Sequence, residues 1–169
     1  MTLQFGKWAL GGLLVASLAG CSGGDMGATA GESQVASATG ALTTTFQAEN
    51  AFDLDEGVVE TVNGGFTGTG YVNIDNDASS FAWYIINQPT TKTVSVAVRY
   101  ANGTAVNRPF DVHANGHANV RIAGTPTGSW TTWRTSTINV AVDAGSNDFF
   151  LSSVTANGMP NIDKFDITN

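Results

Sequence analysis

Between residues 44 and 169, apolar and polar residues alternate in short runs that end at Gly, Asn, Asp or Pro. The runs over 93–100 and 137–142 repeat with a period of two, which is the period of a half-buried β-strand. The pair Asn115-Gly116 separates two further runs and is typical of a two-residue hairpin turn. The pattern predicts nine strands, over 45–49, 70–74, 81–86, 93–100, 110–114, 118–122, 137–142, 147–154 and 162–167.

These short strands determine the expected fold class. No window keeps a helical period for three turns, so we do not expect a helical domain. Many short strands separated by turn residues favour a single all-β domain over 44–169, built as an antiparallel β-sandwich.

The first 20 residues have the composition of a bacterial signal peptide rather than of a folded element. Lys7 provides a positive start, and the apolar run over 8–19 is shorter than the about 20 residues that a membrane-spanning helix needs. The run ends in Leu18-Ala19-Gly20-Cys21, which resembles a lipobox, where the peptide is removed before a cysteine that carries lipid. The alternative is an ordinary secretory signal with a free thiol, but lipidation accounts for Cys21, the single cysteine.

Residues 21–43 are dominated by small and polar residues without an apolar period, which predicts a flexible tether behind the lipidated cysteine. Such a chain has a root-mean-square span of roughly 25 Å, enough to hold a domain away from a membrane surface. Ser22, rather than Asp, follows the cysteine, which resembles outer-membrane sorting in Gram-negative bacteria. We therefore expect a monomer anchored in the bacterial cell envelope, at the outer membrane, that touches the membrane through its lipid alone.

Charge and cysteine content narrow the possible partners. The net charge is −7, from 7 Lys and Arg against 14 Asp and Glu. Such a chain does not favour nucleic acid, because phosphate binding requires Lys and Arg. Acidic side chains suit divalent cations, although they are also ordinary solubilising groups. With a single cysteine, no intramolecular disulfide can form, so core packing or a metal ion must stabilise the domain.

Eight segments in order carry a resemblance to the related carbohydrate-binding module families 6 and 35. They are FQAENA (46–51), VNGGFTGTGYVN (62–73), the strand around Trp83, RYANG (99–103), NRPFDVHANG (107–116), GSWTTW (128–133), VAVDAGSND (140–148) and MPNIDKFDIT (159–168). The resemblance implies a jelly-roll, galactose-binding-like β-sandwich, a structural Ca²⁺, and a sugar site in the loops at one end. It also implies a plant or algal polysaccharide or oligosaccharide as the partner, bound without being cleaved.

A cation site is expected where the first and last strands meet. Gln47 and Glu49 are two residues apart on the first predicted strand, so they share one face. Asp166 points to the face opposite Phe165 and Ile167 on the last strand. If these strands are neighbours, Gln47, Glu49 and Asp166 converge outside the core and their oxygens suit Ca²⁺. The alternative is a solvated polar face.

The resemblance assigns a calcium to the acidic pattern of the first strand. Gln47 stands where an acid is often found in the family, which lowers the charge of the site. Asp163 is the alternative ligand, or it satisfies backbone groups of a loop, since it lies on the side of Phe165.

A sugar ring has an apolar face and a rim of hydroxyl groups, so its binder needs an exposed aromatic plane and a few hydrogen-bonding side chains. Trp130 and Trp133 are three residues apart and face opposite ways on a strand. The resemblance implies that Trp130 stacks on sugar while Trp133 packs in the core, as we also expect of Trp83. Phe66, in the Gly-rich loop, is a second aromatic candidate that stacks without hydrogen bonding.

Three polar residues are the remaining candidates for sugar contacts. The resemblance places Asn161 against the ligand, because it matches the asparagine of the family's PNID segment. Asn102 and Arg108 flank the loop after RYANG. Arginine suits the carboxylate of a uronic acid through a bidentate contact, whereas the alternative role of Arg108 is to brace the loop. Neutral xylan-type chains, uronic acids and algal galactans all fit this set.

An enzymatic site is not indicated. Glycosidases usually need two carboxylates across a cleft. Four acids here crowd one loop, as in an acidic loop or a second calcium site: Asp53, Asp55, Glu56 and Glu60. No Gly-x-Ser-x-Gly motif is present, and His113 and His117 have no third metal ligand beside them in the sequence. We therefore expect a carbohydrate-binding lipoprotein; a structural or protein-interaction lipoprotein is the second hypothesis, and a small hydrolase or lyase the third.

Overall fold

The computed structural model describes residues 40–169, so the predicted signal peptide, Cys21 and most of the predicted tether lie outside it. Its strands are β1 (Thr43–Gln47), β2 (Asp53–Leu54), β3 (Gly57–Glu60), β4 (Tyr71–Ile74), β5 (Phe81–Gln88), β6 (Lys92–Ala101), β7 (Phe110–Ala114), β8 (Val120–Ile122), β9 (Arg134–Val142), β10 (Gly145–Ser153) and β11 (Asn161–Thr168). A 3₁₀ turn over Ala48–Asn50 follows β1. Within residues 40–169, no helix has the length and apolar character needed to cross a membrane.

The strands form two antiparallel sheets with the core between them, which confirms the predicted β-sandwich. One sheet has the order β3-β4-β11-β6-β9, and β1 also pairs with β11. The other sheet has the order β2-β5-β10-β7-β8. Residues 115–119 join β7 to β8, so the connection is longer than the two-residue turn predicted at Asn115-Gly116. A turn does begin there: Asn115 has a φ of 48°, and the His117 N–H donates to the Ala114 carbonyl at 3.1 Å.

The hydrophobic core follows from the alternation of the strands. On β6, every second side chain is buried and the residues between them are half-exposed. Phe165 of β11 lies at the centre, with its ring centroid 5.0 Å from that of Phe149 and 4.9 Å from that of Tyr84. It also stacks on Phe46 at 5.0 Å, so one ring connects β11 to β1, β5 and β10.

Strand β11 has hydrogen-bonded neighbours on both edges. It pairs with β6 from Asn161 to Thr168, and its remaining contacts are with β4 at Ile162 and with β1 over residues 164–168. Thr43 is the register partner of Thr168, and the Asn169 N–H donates to the Leu42 carbonyl at 3.0 Å. The polypeptide therefore enters and leaves the sandwich at the same end.

A β-bulge interrupts β11 near its start. Ile162 pairs with Tyr100 and Lys164 pairs with Arg99, which leaves Asp163 as an extra residue. The Asp163 side chain is fully buried, and it contacts Arg99 and the loop after β3 rather than the aromatic core. Simple alternation put Asp163 on the side of Phe165, and the bulge is the physical reason why that expectation is wrong.

Two short strands, β2 and β3, were not among the predicted elements. The chain between them turns at Glu56, whose φ is 53°. On β3, Val58 and Val59 are both exposed, so no alternation marks the strand. Glu49 was predicted to continue the first strand, but β1 ends at Gln47 and Glu49 lies in the 3₁₀ turn.

Trp83 was expected in the core, and the structure places it on the outer face of the five-stranded sheet. Its neighbours Ala82 and Tyr84 are buried, so alternation along β5 points the indole outward. There it stacks on Phe150 at 5.8 Å and meets the edge of Phe52 at 4.5 Å.

Replacement of Phe165 by alanine should destabilise the domain by about 3–5 kcal/mol, because it removes a fully buried ring that contacts three other aromatic residues. Urea denaturation followed by fluorescence measures this loss. Phe52→Ala is the matched control: Phe52 is 62% exposed, and its loss should cost less than about 1 kcal/mol. Equal losses in the two variants would contradict the assigned core.

Candidate functional site

A cavity of about 260 Å³ opens at one end of the sandwich. Its lining is polar apart from one indole and comprises Asn63, Asn73, Asn76, Arg108, Trp130 and Asn161. Asn161 begins β11, and its register partner Ala101 ends β6. The loops that carry Arg108 and Trp130 precede β7 and β9, which start at this same end. The sandwich thus gathers side chains that are far apart in sequence.

Trp130 is half-buried in the turn before β9 and supplies the only aromatic surface among the lining residues. Its indole packs on Gly103, where an added Cβ would lie 2.5 Å from the Trp130 Cδ1. The Arg108 guanidinium carbon lies 5.4 Å from the centroid of the indole ring, within the range of a cation–π contact. Gly103 and Arg108 together therefore fix where the indole stands.

Arg108 is a buried cation that has no acidic partner within the described residues. Arg108 is only 5% exposed, and its Nη2 donates to the Asn76 Oδ1. In residues 40–169, its Nε has no hydrogen-bond partner and no carboxylate lies within 4.0 Å of the guanidinium. Burial lowers the pKa of Arg108 from its usual value, but an arginine stays charged at neutral pH. The cavity wall therefore carries an uncompensated positive charge.

Asn161 is the second buried polar residue of the wall. It is 3% exposed, and over residues 40–169 its side-chain amide makes no hydrogen bond to protein. Because it lines the cavity, its amide group is available to a molecule bound there. Asn76 is partly committed: its Oδ1 accepts from Arg108, which leaves its amide N–H groups for the cavity.

Asn102 is placed differently from the expectation that it contacts sugar. It is fully buried, and its Nδ2 donates to the carbonyls of Val106 at 2.9 Å and Gly124 at 2.8 Å. Its Oδ1 accepts from the backbone N–H and the hydroxyl of Thr104. Asn102 therefore braces the loop that carries Arg108 and does not line the cavity.

Phe66, the second aromatic candidate, lies beside the cavity rather than in its wall, as does Trp133. The ring centroids of Phe66 and Tyr71 are 5.8 Å apart. Trp133 meets the same Tyr71 ring edge-on, with its centroid 5.5 Å away. Trp133 was expected in the core, but it is half-buried and its Nε1 donates to the Gly64 carbonyl at 3.0 Å. Both residues hold the Gly-rich loop against β4.

Three lining residues, Asn63, Asn73 and Asn76, were missed in the sequence. The signal that they offered is the recurrence of asparagine before, within and after β4, in the segment from 63 to 76. A smaller cavity of about 140 Å³ adjoins the first and shares Asn76 and Arg108 with it. The Arg108 side chain thus contributes to two neighbouring depressions.

A second polar cluster surrounds Thr67, on the outer side of β11. The Thr67 hydroxyl donates to the Gln47 Oε1 at 3.0 Å, and its backbone N–H donates to the Asp163 Oδ1 at 2.6 Å. Nearby, the Thr69 N–H donates to the Glu49 Oε1 at 2.6 Å. Gln47, Glu49 and Asp163 therefore all bind one loop, and the bulge on β11 is what brings Asp163 to it.

Asp166 does not converge with Gln47 and Glu49 as expected. Its carboxylate accepts from the Thr45 hydroxyl at 2.6 Å and from the Lys164 ammonium at 2.8 Å. Thr45 is its register partner, whereas Gln47 pairs with Lys164. Two steps along the strand therefore separate Asp166 from the cluster.

The Thr67 cluster offers oxygen ligands of the kind that Ca²⁺ prefers. The Glu49 Oε2 is buried and has no partner within residues 40–169, and Asp163 is paired with Arg99. The uncompensated charge of the cluster is therefore that of Glu49. No three Asp, Glu, His or Cys side chains gather into a metal-binding group in the described part of the chain, so a cation here would rely on the Gln47 amide oxygen.

The remaining titratable candidates lie apart from one another. Asp53 is on β2, and Glu60 accepts a hydrogen bond from the Tyr71 hydroxyl at 2.8 Å. His113 stacks on Phe150, whereas His117 lies 3.2 Å from the Asp143 carboxylate. The two histidines thus have different partners and do not form a joint site.

Comparison with known sequences identifies relatives that are larger than this chain. The family model for carbohydrate binding module family 6 matches residues 47–169. An exo-beta-D-glucosaminidase of Amycolatopsis orientalis is 43% identical over 120 residues, which are 70% of this chain and 12% of that enzyme. An endo-1,4-beta-xylanase B of Cellvibrio japonicus is 34% identical over 123 residues, 72% of this chain and 20% of that enzyme. This chain thus spans a fifth or less of each enzyme.

Solved structures of similar fold include family 35 carbohydrate-binding modules. One from Cellvibrio japonicus superposes with a TM-score of 0.71 at 32% identity, covering 76% of this chain and 94% of that module. Another was solved in complex with a disaccharide that contains glucuronic acid; it gives a TM-score of 0.70 at 32% identity and covers 74% of this chain and 92% of that one. The jelly-roll architecture is shared with both.

Truncation of two buried asparagines should cost different amounts of stability. Asn102→Ala should cost about 2–3 kcal/mol of stability, because it removes two hydrogen bonds to the Val106 and Gly124 carbonyls and the oxygen that accepts from Thr104. Asn161→Ala removes no hydrogen bond within the described chain and should cost less than about 1 kcal/mol. Chemical denaturation of both variants tests the assignment, and the reverse order would show that Asn161 is the brace.

Proposed function

Since the chain belongs to carbohydrate-binding module family 6, we propose that its cavity binds a uronic acid unit of a polysaccharide or oligosaccharide without cleaving it. The observation that carries the proposal is the buried Arg108 beside Trp130, a cation with no acidic partner in the described residues. A buried charge is costly unless it is paired, so this wall favours a ligand that brings a carboxylate.

The other lining residues fit the rest of a sugar ring. The indole of Trp130 offers an apolar plane for the C–H face of a pyranose. Four asparagines supply both N–H donors and carbonyl acceptors, which suits a ring whose hydroxyl groups do both. The Asn161 amide needs no rearrangement to act, because it has no partner to give up within residues 40–169.

The lining also supports binding rather than hydrolysis. The cavity wall contains four asparagines, one arginine and one tryptophan, and none of these can serve as the pair of carboxylic acids that glycosidases use. The relative solved with a glucuronic-acid-containing disaccharide supports the choice of an acidic sugar. Plant or algal polysaccharides that carry such units are the expected partners.

We further propose that the module acts at the bacterial surface as a lipid-anchored monomer. The support is the Leu18-Ala19-Gly20-Cys21 segment and the tether behind it. A few contacts of about 1 kcal/mol each give micromolar to millimolar affinity, and display of many copies on a membrane would raise the retention of a polymer by avidity.

Replacement of Arg108 by glutamine should weaken binding of D-glucuronic acid at least about tenfold, because the carboxylate loses its counter-ion. Trp130→Ala should abolish measurable binding by removing the aromatic plane. Isothermal titration calorimetry of each variant checks both effects, with melting curves to verify folding.

Arg121→Gln is the matched control and should leave the affinity unchanged. Arg121 pairs with Asp111 on the five-stranded sheet and does not line the cavity. A wild-type protein that binds neutral xylo-oligosaccharides as tightly as it binds glucuronic acid would overturn the choice of an anionic sugar. Unchanged binding in Arg108→Gln would do the same.

We also propose that the Thr67 cluster holds a structural Ca²⁺. Glu49 would supply a carboxylate and Gln47 an amide oxygen, with Asp163 next to them. The buried Glu49 Oε2 supports this proposal, because a free carboxylate oxygen out of contact with water is costly unless a cation or a donor binds it. The ion would fasten the Gly-rich loop to the end of β1.

Removal of calcium with a chelator should lower the melting temperature by about 5 °C, since an ion bound only by the folded state stabilises it. Glu49→Gln should abolish this calcium-dependent shift, whereas Asp166→Asn should retain it because Asp166 lies outside the cluster. Differential scanning calorimetry with and without calcium decides the matter. Identical melts of the wild type in both conditions would exclude a structural ion.

A further inference from the structure

A chain of three side chains runs from the outside of the cavity to its wall. The Tyr71 hydroxyl donates to the Glu60 Oε2 at 2.8 Å, and the Asn63 Nδ2 donates to the Tyr71 hydroxyl oxygen at 2.8 Å. Asn63 lines the cavity, whereas Glu60 does not. A residue outside the site is thus connected to one inside it through a single hydroxyl group.

The chemistry of the three groups fixes the direction of both hydrogen bonds. An ionised carboxylate only accepts, so the one proton of the Tyr71 hydroxyl must point to Glu60. The hydroxyl oxygen can then only accept from Asn63, and Asn63 must present its amide nitrogen to Tyr71. The Asn63 carbonyl oxygen is therefore left for the cavity.

The linking ring cannot easily move. Tyr71 is fully buried, and its ring contacts Phe66 at 5.8 Å and Trp133 at 5.5 Å. Glu60 and Tyr71 are also direct register partners on β3 and β4, so the backbone holds them opposite each other. Burial, followed by the hydrogen bond with Glu60, raises the pKa of Tyr71 above its usual value, which keeps the hydroxyl protonated.

Two asparagines in the wall consequently present opposite groups. Asn76 is fixed by a donor, Arg108, and offers its amide N–H groups to the cavity. Asn63 is fixed by an acceptor and offers its carbonyl oxygen. A ligand hydroxyl beside Asn63 must therefore donate its proton.

We propose that Glu60 is a positioning residue for sugar binding, which acts through the Tyr71 hydroxyl to hold the Asn63 carbonyl oxygen toward the cavity as an obligatory acceptor. This inference rests on the proposed function and extends it, because it gives one point of the site a fixed requirement for a hydroxyl donor. Glu60 needs no contact with the ligand to exert this effect.

Glu60→Gln separates a positioning role from a simple effect of charge, because the two predict opposite changes in the affinity for D-glucuronic acid. Loss of a negative charge near the site should strengthen binding of anionic D-glucuronic acid if charge alone matters. A glutamine amide can donate as well as accept, so the Tyr71 proton loses its direction and the Asn63 amide can turn over. We expect about a fivefold weaker affinity by calorimetry.

The matched control is Glu56→Gln, which makes the same change of charge in the turn before β3 and should not weaken binding. Tyr71→Phe removes the link without changing charge and should also weaken binding about fivefold. In an Asn63→Ala background, neither Glu60→Gln nor Tyr71→Phe should have a further effect. Affinity that is unchanged or higher in Glu60→Gln, or full additivity with Asn63→Ala, would overturn the proposal.

A measurement without sugar keeps this inference separate from the proposed function. The side-chain amide signals of Asn63 in a ¹⁵N correlation NMR spectrum should shift in Tyr71→Phe and in Glu60→Gln, and should stay in place in Glu56→Gln. Unmoved Asn63 signals in the first two variants would refute the positioning role. If the Asn63 signals shift in both variants but the wild-type protein binds no glucuronic acid, the proposed ligand is refuted and the orientation of Asn63 is established.

Discussion

The pairing of β11 on both of its edges is the constraint on which the sandwich and its polar sites depend. Because β6 holds one side and β1 and β4 share contacts on the other, the strand cannot slide without breaking all three ladders. Phe165 then enters the centre of the core, Asp163 bulges toward the Thr67 loop, and Asn161 reaches the cavity. One strand thus supplies a core residue, a loop anchor and a residue of the cavity wall within eight residues.

The cavity is built from groups that the folded chain leaves partly unsatisfied. Arg108 lacks an acidic partner in residues 40–169, and the buried Asn161 amide makes no hydrogen bond to protein there. Such groups reduce stability, since buried polar atoms are normally hydrogen-bonded. The apolar core and the braced loop around Asn102 offset this cost, which keeps the polar groups of the cavity wall oriented.

The sequence predicted the sandwich well because alternation is a property of each strand by itself. It failed where alternation is broken or hidden: at the bulge that turns Asp163, at the exposed pair Val58 and Val59, and at the outward-facing Trp83. Trp130, Arg108 and Asn161 do meet at one cavity. The sequence did not distinguish Asn102 from Asn161, because whether an asparagine braces a loop or lines a cavity depends on carbonyls that only folding brings together.

The shared position of the first and last strands has a consequence for how the module can be built into larger architectures. Leu42 and Asn169 are hydrogen-bonded to each other at one end of β11, and Asn161 faces the cavity at the other end, roughly 23 Å away at the rise of an extended strand. Polypeptide that joins the domain at Leu42 or at Asn169 therefore leaves from the end opposite the cavity. The domain can therefore be added to another polypeptide, or inserted into one, without its cavity being covered at the point of attachment.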